Sequence, residues 1–273
     1  MVKQDYINEL NKGMMQRRAA ITKYFFVSDV HSYCDRLIAA LEAANFEPTN
    51  PNHVLVVLGD VFDRGQQSWK TYQFLKELPY KILIRGNHED LLIDMINRGV
   101  VYDIIDIPNG TADTCVQLAT EDRLTSYKWL KERGSSRVVD ILVDENVNEV
   151  CKWIDEEFVD YIEFSNLIGI HSCVPLDKGD YVMRPKARWG NPYLDRDAGK
   201  WRITGHWFAR RHWESDGVPW MKDETYVSED RRLIGIDSCV MLSGKINVFV
   251  YETNELPILG KSYNQWLGGG HDN

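Results

Sequence analysis

Residues 53–65 read HVLVVLGDVFDRG. The run His53–Leu58 is apolar and β-branched, long enough for one buried strand and too short for a helix. It ends in Asp60, Asp63, Arg64 and Gly65. Unpaired buried charge is costly and calls for partners or metal ions. A strand built for burial that ends in two carboxylates and a guanidinium therefore points to a site at its end.

The same arrangement repeats on both sides. KYFFV (23–27) is followed by Asp29 and His31, and KILI (81–84) by Arg85, Gly86, Asn87, His88 and Glu89. Helical spacing lies between these runs, at 36–46, 68–78 and 88–99. Strands alternating with helices predict βαβ units and a mostly parallel sheet. The middle, from about 111 to 160, reads as mainly helical. Short β-rich runs return at 166–170, 201–204, 232–236 and 245–252, the first two followed by His171 and His206. In open α/β sheets ligands bind beyond the carboxyl ends of strands, so these polar residues are expected to converge.

The chain has 273 residues, 44% hydrophobic and 27% charged, which fits an ordered globular protein. The expected organisation is an N-terminal arm over 1–20, one domain over 21–265 and a flexible tail over 266–273. The formal charge of −9 argues against an extended nucleic-acid footprint. No apolar run approaches bilayer length, and residues 1–20 have no apolar signal core. The five cysteines, Cys34, Cys115, Cys151, Cys173 and Cys239, form no CxxC pair. They read as reduced thiols in a cytoplasmic protein.

Asp29, His31, Asp60, Asn87, His171 and His206 oversupply a single zinc ion. Six N and O donors, one of them an Asp able to bridge, suit two divalent ions of the Mn, Fe or Zn type. Metal would neutralise Asp60, and Arg64 would meet a substrate anion. Single residues have plainer readings. Glu89 and Asp90 are first-turn helix acids, and His53, His212 and His271 are exposed. Asp237 supports the last strands or stands behind the metals. The aromatic residues after 188, from Trp189 and Tyr193 through Trp201, Trp207, Phe208 and Trp213 to Trp220, serve packing before base stacking.

SDVH (28–31), GDVFDRG (59–65), RGNHED (85–90), IHSC (170–173) and GHW (205–207) resemble, in order, the motifs of the PPP family of metallophosphoesterases. That family includes protein serine/threonine phosphatases and symmetrical diadenosine tetraphosphate hydrolases. The resemblance implies a calcineurin-like β-sandwich flanked by helices. It also implies one metal on Asp29, His31 and Asp60, and a second on Asp60, Asn87, His171 and His206. His88 would be the general acid, Asp63 would orient it and keep it protonated, and Arg64 would bind phosphate. A metal-bridging hydroxide would attack phosphorus in line, with manganese the expected metal. Departures are Ser28 and Ser32 in the first motif, HSC where HGG is usual, and Trp207 after Gly-His. A second phosphate-binding arginine is expected among Arg184, Arg188 and Arg196, with Arg188 preferred. The expected substrate is a phosphoserine or phosphothreonine protein. The alternatives are a nucleotide or dinucleoside polyphosphate, and a non-catalytic metal-binding scaffold.

Overall fold

The computed structural model describes residues 21–132, 140–172, 199–218 and 223–260. The expected arm over 1–20 and tail over 266–273 lie outside them, as do Cys173, Arg184, Arg188, Trp189, Tyr193, Arg196, Trp220 and His271.

The first half runs β1 (Thr22–Val27), α1 (Cys34–Ala43), β2 (His53–Leu58), α2 (Ser68–Glu77), β3 (Lys81–Ile84) and α3 (Asn87–Arg98). Helices α4 (Asp106–Asn109), α5 (Thr111–Ala119), α6 (Tyr127–Glu132) and α7 (Glu145–Glu157) follow. The second half runs β4 (Phe158–Val159), β5 (Tyr161–Glu163), β6 (Leu167–Ile170), β7 (Trp201–Thr204), α8 (Ala209–Ser215), β8 (Tyr226–Ser228), β9 (Leu233–Gly235), α9 (Val240–Ser243), β10 (Phe249–Thr253) and β11 (Ile258–Leu259).

Two sheets form. In the first, ordered β10-β1-β2-β3-β4, strands β1 to β4 are parallel and β10 pairs antiparallel with β1. In the second, ordered β11-β5-β6-β7-β9-β8, the pairs β6–β7 and β7–β9 are parallel and the others antiparallel. The alternating first half thus gives the parallel strands expected of it. The single mostly parallel sheet becomes two sheets flanked by helices.

Side-chain alternation explains why HVLVVL has no polar face. Phe25, Val27, Leu55, Val57 and Leu83 point to a helix-side core with Leu37, Leu75, Met95 and Trp153. Their neighbours Tyr24, Phe26, Val54, Val56, Ile82 and Ile84 point into the inter-sheet core with Ile162, Leu167, Ile203 and Ile234. With period-2 geometry, a strand covered on both faces must be apolar throughout. Within the inter-sheet core, a Cβ on Gly169 would stand 2.7 Å from Ile162 Cγ2 and 2.9 Å from Phe26 Cε1, so only glycine fits there.

Two histidine expectations are corrected. His53 is buried, its Nδ1 accepting the Glu47 N–H at 3.0 Å and its ring stacked on Phe46. His212 is fully buried and stacks on Tyr226 at 4.9 Å. Cys34, Cys115, Cys151 and Cys239 are free thiols. No helix among the described residues is long and apolar enough to cross a membrane.

Candidate metal centre

The loops that leave the carboxyl ends of β1, β2, β3, β6 and β7 meet in one place. Asp29, His31, Asp60, Asn87, His88 and His171 are all buried there, and His206 is partly buried. His171 Nε2 lies 2.9 Å from Asn87 Oδ1 and 3.3 Å from Asp60 Oδ1. His31 Nε2 lies 3.9 Å from both Asp29 Oδ1 and Asp60 Oδ2. The Asp29 carboxylate accepts the His206 backbone N–H at 2.9 Å. Asp60 therefore stands between two groups of donors, and the predicted ligands come together. One possible ligand set is His31, Asp60 and His88, and another is Asp60, His171 and His206. In each, the candidate donor atoms lie within 4.8 Å of one another.

The backbone here is unusual. Asp29, His31, Ser32, Asp60, Asp63, Arg64 and His206 all have positive φ, between 48° and 74°. Non-glycine residues reach this region only when their surroundings over-determine it, and such residues cluster at functional sites. Gly59, with φ of 81°, precedes Asp60, and a Cβ on it would stand 2.6 Å from His171 Nδ1.

Imidazole orientation is set from behind. His31 Nδ1–H donates to Phe62 O at 2.9 Å, and His171 Nδ1–H donates to Leu58 O at 2.7 Å. Both rings thus turn Nε2, the lone-pair nitrogen, into the site, as metal-ligating histidines do. His88 Nδ1–H donates to Asp63 Oδ2 at 2.7 Å. Asp63 also accepts Thr111 Oγ1–H and Thr114 Oγ1–H, each at 2.7 Å. Arg64 donates Nη1 to His31 Nε2 at 2.8 Å and Nη2 to His88 Nε2 at 3.1 Å. A guanidinium has no acceptor, so both imidazole Nε2 atoms are acceptors and both rings are neutral.

The electrostatics ask for a cation. Burial pushes the carboxyls of Asp29, Asp60 and Asp237 up, with the Asp29 charge adding to the rise at Asp60 and Asp237. Burial pushes the imidazoles of His31 and His88 well below their ordinary value, and that of His206 to about 3; the Arg64 charge adds to all three. Burial also raises the Asp63 carboxyl to about 7. Neutral imidazoles with inward lone pairs, beside crowded buried carboxylates, form a donor set that fits divalent metal ions. Burial and Arg64 both lower the His88 imidazole, while Asp63 fixes its orientation through Nδ1–H.

Glu89 is more than a first-turn acid. It is fully buried, and its carboxylate accepts the backbone N–H groups of Asp60 (3.0 Å), Val61 (2.8 Å) and Gly86 (2.8 Å). It ties the β2 loop to the β3 loop. Asp90 pairs with the buried Arg85 at 2.7 Å, and Asp155 holds the same guanidinium at 2.9 Å. Asp237 accepts the Cys239 N–H at 2.7 Å, close behind Asp29. Downstream, Arg211 lies over the rings of Trp207 and Phe208. Trp213 packs on Tyr226, and its indole N–H donates to Glu224 O at 3.1 Å.

Two packed sheets with an N/O donor set at the strand ends are an arrangement found in metallophosphoesterases. The chain belongs to the calcineurin-like phosphoesterase family, whose model matches residues 22–224. A symmetrical bis(5'-nucleosyl)-tetraphosphatase from Psychromonas ingrahamii is 36% identical over 80 residues, which is 29% of this chain and 28% of that protein. The aligned stretch thus spans little more than a quarter of the relative's length. Among solved structures, a presumed diadenosine tetraphosphatase superposes with a TM-score of 0.52 at 15% identity, over 88% of this chain and 94% of that one. A cold-active protein-tyrosine phosphatase from a psychrophilic Shewanella species gives 0.51 at 14% identity, over 88% and 80%. At these identities the likeness speaks to the fold alone.

Proposed function

We propose that this protein is a dinuclear metal-dependent phosphoester hydrolase, formed by a single domain over about 21–265 and acting in the cytoplasm. The observation that carries the reading is the convergence of Arg64 and the Asp63–His88 pair on Asp60, the residue common to both donor groups. Asp29, His31 and Asp60 would hold one ion, and Asp60, Asn87, His171 and His206 the other, with manganese the first metal to test. Bound there, the ions would supply Lewis acidity and an activated water.

The chain's own groups do the rest. Arg64 turns from the two imidazoles to the non-bridging phosphate oxygens, a charge-assisted contact. That movement frees His88 Nε2 and takes away the charge that adds to burial in keeping the ring neutral. The dianionic phosphate favours the imidazolium, and Nε2–H then faces the leaving oxygen. Asp63 holds Nδ1–H throughout, fixing the ring plane. Arg188 remains a proposed second phosphate contact.

Two substrate classes follow. The motif pattern is shared by phosphoserine/phosphothreonine protein phosphatases and dinucleoside polyphosphate hydrolases, and it admits a phosphoserine or phosphothreonine protein. The 36% identity with a dinucleoside tetraphosphatase supports symmetrical cleavage of a dinucleoside polyphosphate. The test is hydrolysis by manganese-loaded protein of p-nitrophenyl phosphate, phosphoserine/phosphothreonine and phosphotyrosine peptides, and diadenosine tetraphosphate, with Asp60→Ala as control. Metal-dependent turnover of any of these supports the hydrolase reading, and the preferred one sets the class. No turnover on the whole panel would favour the scaffold reading.

A further inference from the structure

We propose that helix α5 is the positioning element of the Asp63–His88 pair, acting through a buried polar stripe of Thr111, Thr114 and Gln117. The role of His88 rests on the hydrolase reading above; the stripe itself does not.

The helix is otherwise a core helix, and Cys115, Val116 and Leu118 pack in the helix-side core. Thr111, Thr114 and Gln117 recur every third residue, and all three are buried. Polar side chains on a buried helix face are costly unless each finds a partner. All three find theirs on the segment that follows β2. Thr111 Oγ1–H donates to Asp63 Oδ2, and Thr114 Oγ1–H donates to Asp63 Oδ1. Thr114 Oγ1 also accepts the Asp63 backbone N–H at 3.0 Å. Gln117 Nε2–H donates to Gly65 O at 2.9 Å, while its Oε1 accepts the backbone N–H and the hydroxyl of Ser68 at 2.9 and 2.8 Å.

The segment needs this support. Asp63 and Arg64 are consecutive non-glycine residues at φ of 74° and 65°, a conformation that persists only when its surroundings fix it. Gly110, just before α5, has φ of 88°, and a Cβ there would stand 2.6 Å from the Arg64 backbone nitrogen. The helix start and the strained pair therefore touch backbone to backbone.

Thr111 has the more direct part. Its hydroxyl and His88 Nδ1–H share the same oxygen, Asp63 Oδ2. Thr114 holds the other oxygen, so the carboxylate cannot rotate about its Cβ–Cγ bond. Without Thr111, Oδ2 keeps only its bond to His88 Nδ1–H, and the carboxylate that sets the ring plane loses one of its two threonine anchors. Thr111 and Thr114 are thus positioning residues that act through Asp63.

The test compares Thr111→Val, Thr111→Ser and Thr114→Val in the full chain with two readouts. The first is the downfield proton NMR signal of His88 Nδ1–H in metal-free protein, assigned by its loss in His88→Ala. The second is kcat and KM of manganese-loaded protein on p-nitrophenyl phosphate and on phenyl phosphate, a poorer leaving group. For Thr111→Val we expect the signal to shift upfield or vanish. We also expect kcat on phenyl phosphate to fall roughly 10²-fold with KM unchanged, and to fall far less on p-nitrophenyl phosphate. Thr111→Ser should restore both. An unmoved signal, or equal losses on the two substrates that track thermal stability, would overturn the proposal. If Thr111→Val does not fold, Thr114→Val must shift the same signal, and an unmoved signal there overturns it too. If the wild type hydrolyses neither ester, the NMR comparison alone decides the positioning role, and the hydrolase reading is decided by the full substrate panel above.

Discussion

Glu89 offers the sharpest test of how the site is held. Its carboxylate is the acceptor for three backbone N–H groups, on Asp60, Val61 and Gly86. Hydrogen bonds to a charged group contribute about 1.5–3 kcal/mol each, and buried N–H groups left without partners cost about 1–3 kcal/mol each. Shared geometry makes the three non-additive, so Glu89→Ala should cost about 3–5 kcal/mol, a large part of the total stability of about 5–15 kcal/mol of an ordinary domain. Glu89→Gln is gentler. Asp60 and Gly86 both donate to Oε2, so an amide oxygen placed there keeps two bonds. Its NH₂ then faces the Val61 N–H, donor against donor, and about 1–3 kcal/mol is lost. The assay is urea unfolding of metal-free protein, read from the midpoint at constant slope. Calorimetric titration with Mn²⁺ follows. Because the tie fixes the backbone of Asp60, metal affinity should fall about 10–100-fold in both variants. Glu89→Ala with an unfolding free energy within about 0.5 kcal/mol of wild type and undiminished affinity would refute the reasoning.

Further outcomes follow from the same geometry. His88→Ala should lose most turnover on a poor leaving group yet keep its metal content, whereas Asp60→Ala should lose metal, as elemental analysis after dialysis would show. His212 is buried with its imidazole lowered to about 4 from an ordinary 6.5. The unfolded chain takes up a proton below pH 6.5 that the folded chain refuses until about pH 4, so stability falls with falling pH across that window, by about 3 kcal/mol from this residue. His212→Phe, which keeps the stacking on Tyr226, should flatten that part of the unfolding free-energy profile, and an unchanged slope would count against it. Gly59→Ala should weaken metal binding, because the added methyl meets His171 Nδ1 at a backbone angle that alanine resists.

Much of this site was legible because the proposed ligands lie within a few residues of the end of an apolar run. Asp29, Asp60, Asn87, His171 and His206 could be placed at strand ends before any pairing was known. Strand partners were not legible. Nothing local tells Phe249–Thr253 to join β1, or divides the later strands into a second sheet. Strands of two or three residues, such as Phe158–Val159 and Tyr161–Glu163, carry too little pattern to detect. Glu89 was placed correctly on the first turn of α3, but its carboxylate turns inward to the β2 loop, a contact 28 residues away in sequence. His212 was misread because the charged neighbours in ARRHWE disguise a ring that stacks inside. The stripe of Thr111, Thr114 and Gln117 had a signal, three polar residues at helical spacing beside Cys115, Val116 and Leu118, and it passed as ordinary helix composition.

The glycine at 169 gives the two-sheet arrangement a further meaning. Asp29, Asp60 and Asn87 follow strands of one sheet, and His171 and His206 strands of the other, so the distance between donors depends on how closely the two sheets pack at their ends. Side chains of the inter-sheet layer act as shims in that gap. Gly169 is the thinnest of them, two residues before His171, and a valine there would press on Ile162 and Phe26 and wedge the sheets apart close to the site. Alignment of the proposed donors is therefore a tolerance set by apolar thickness, and substitutions that touch none of them can detune it.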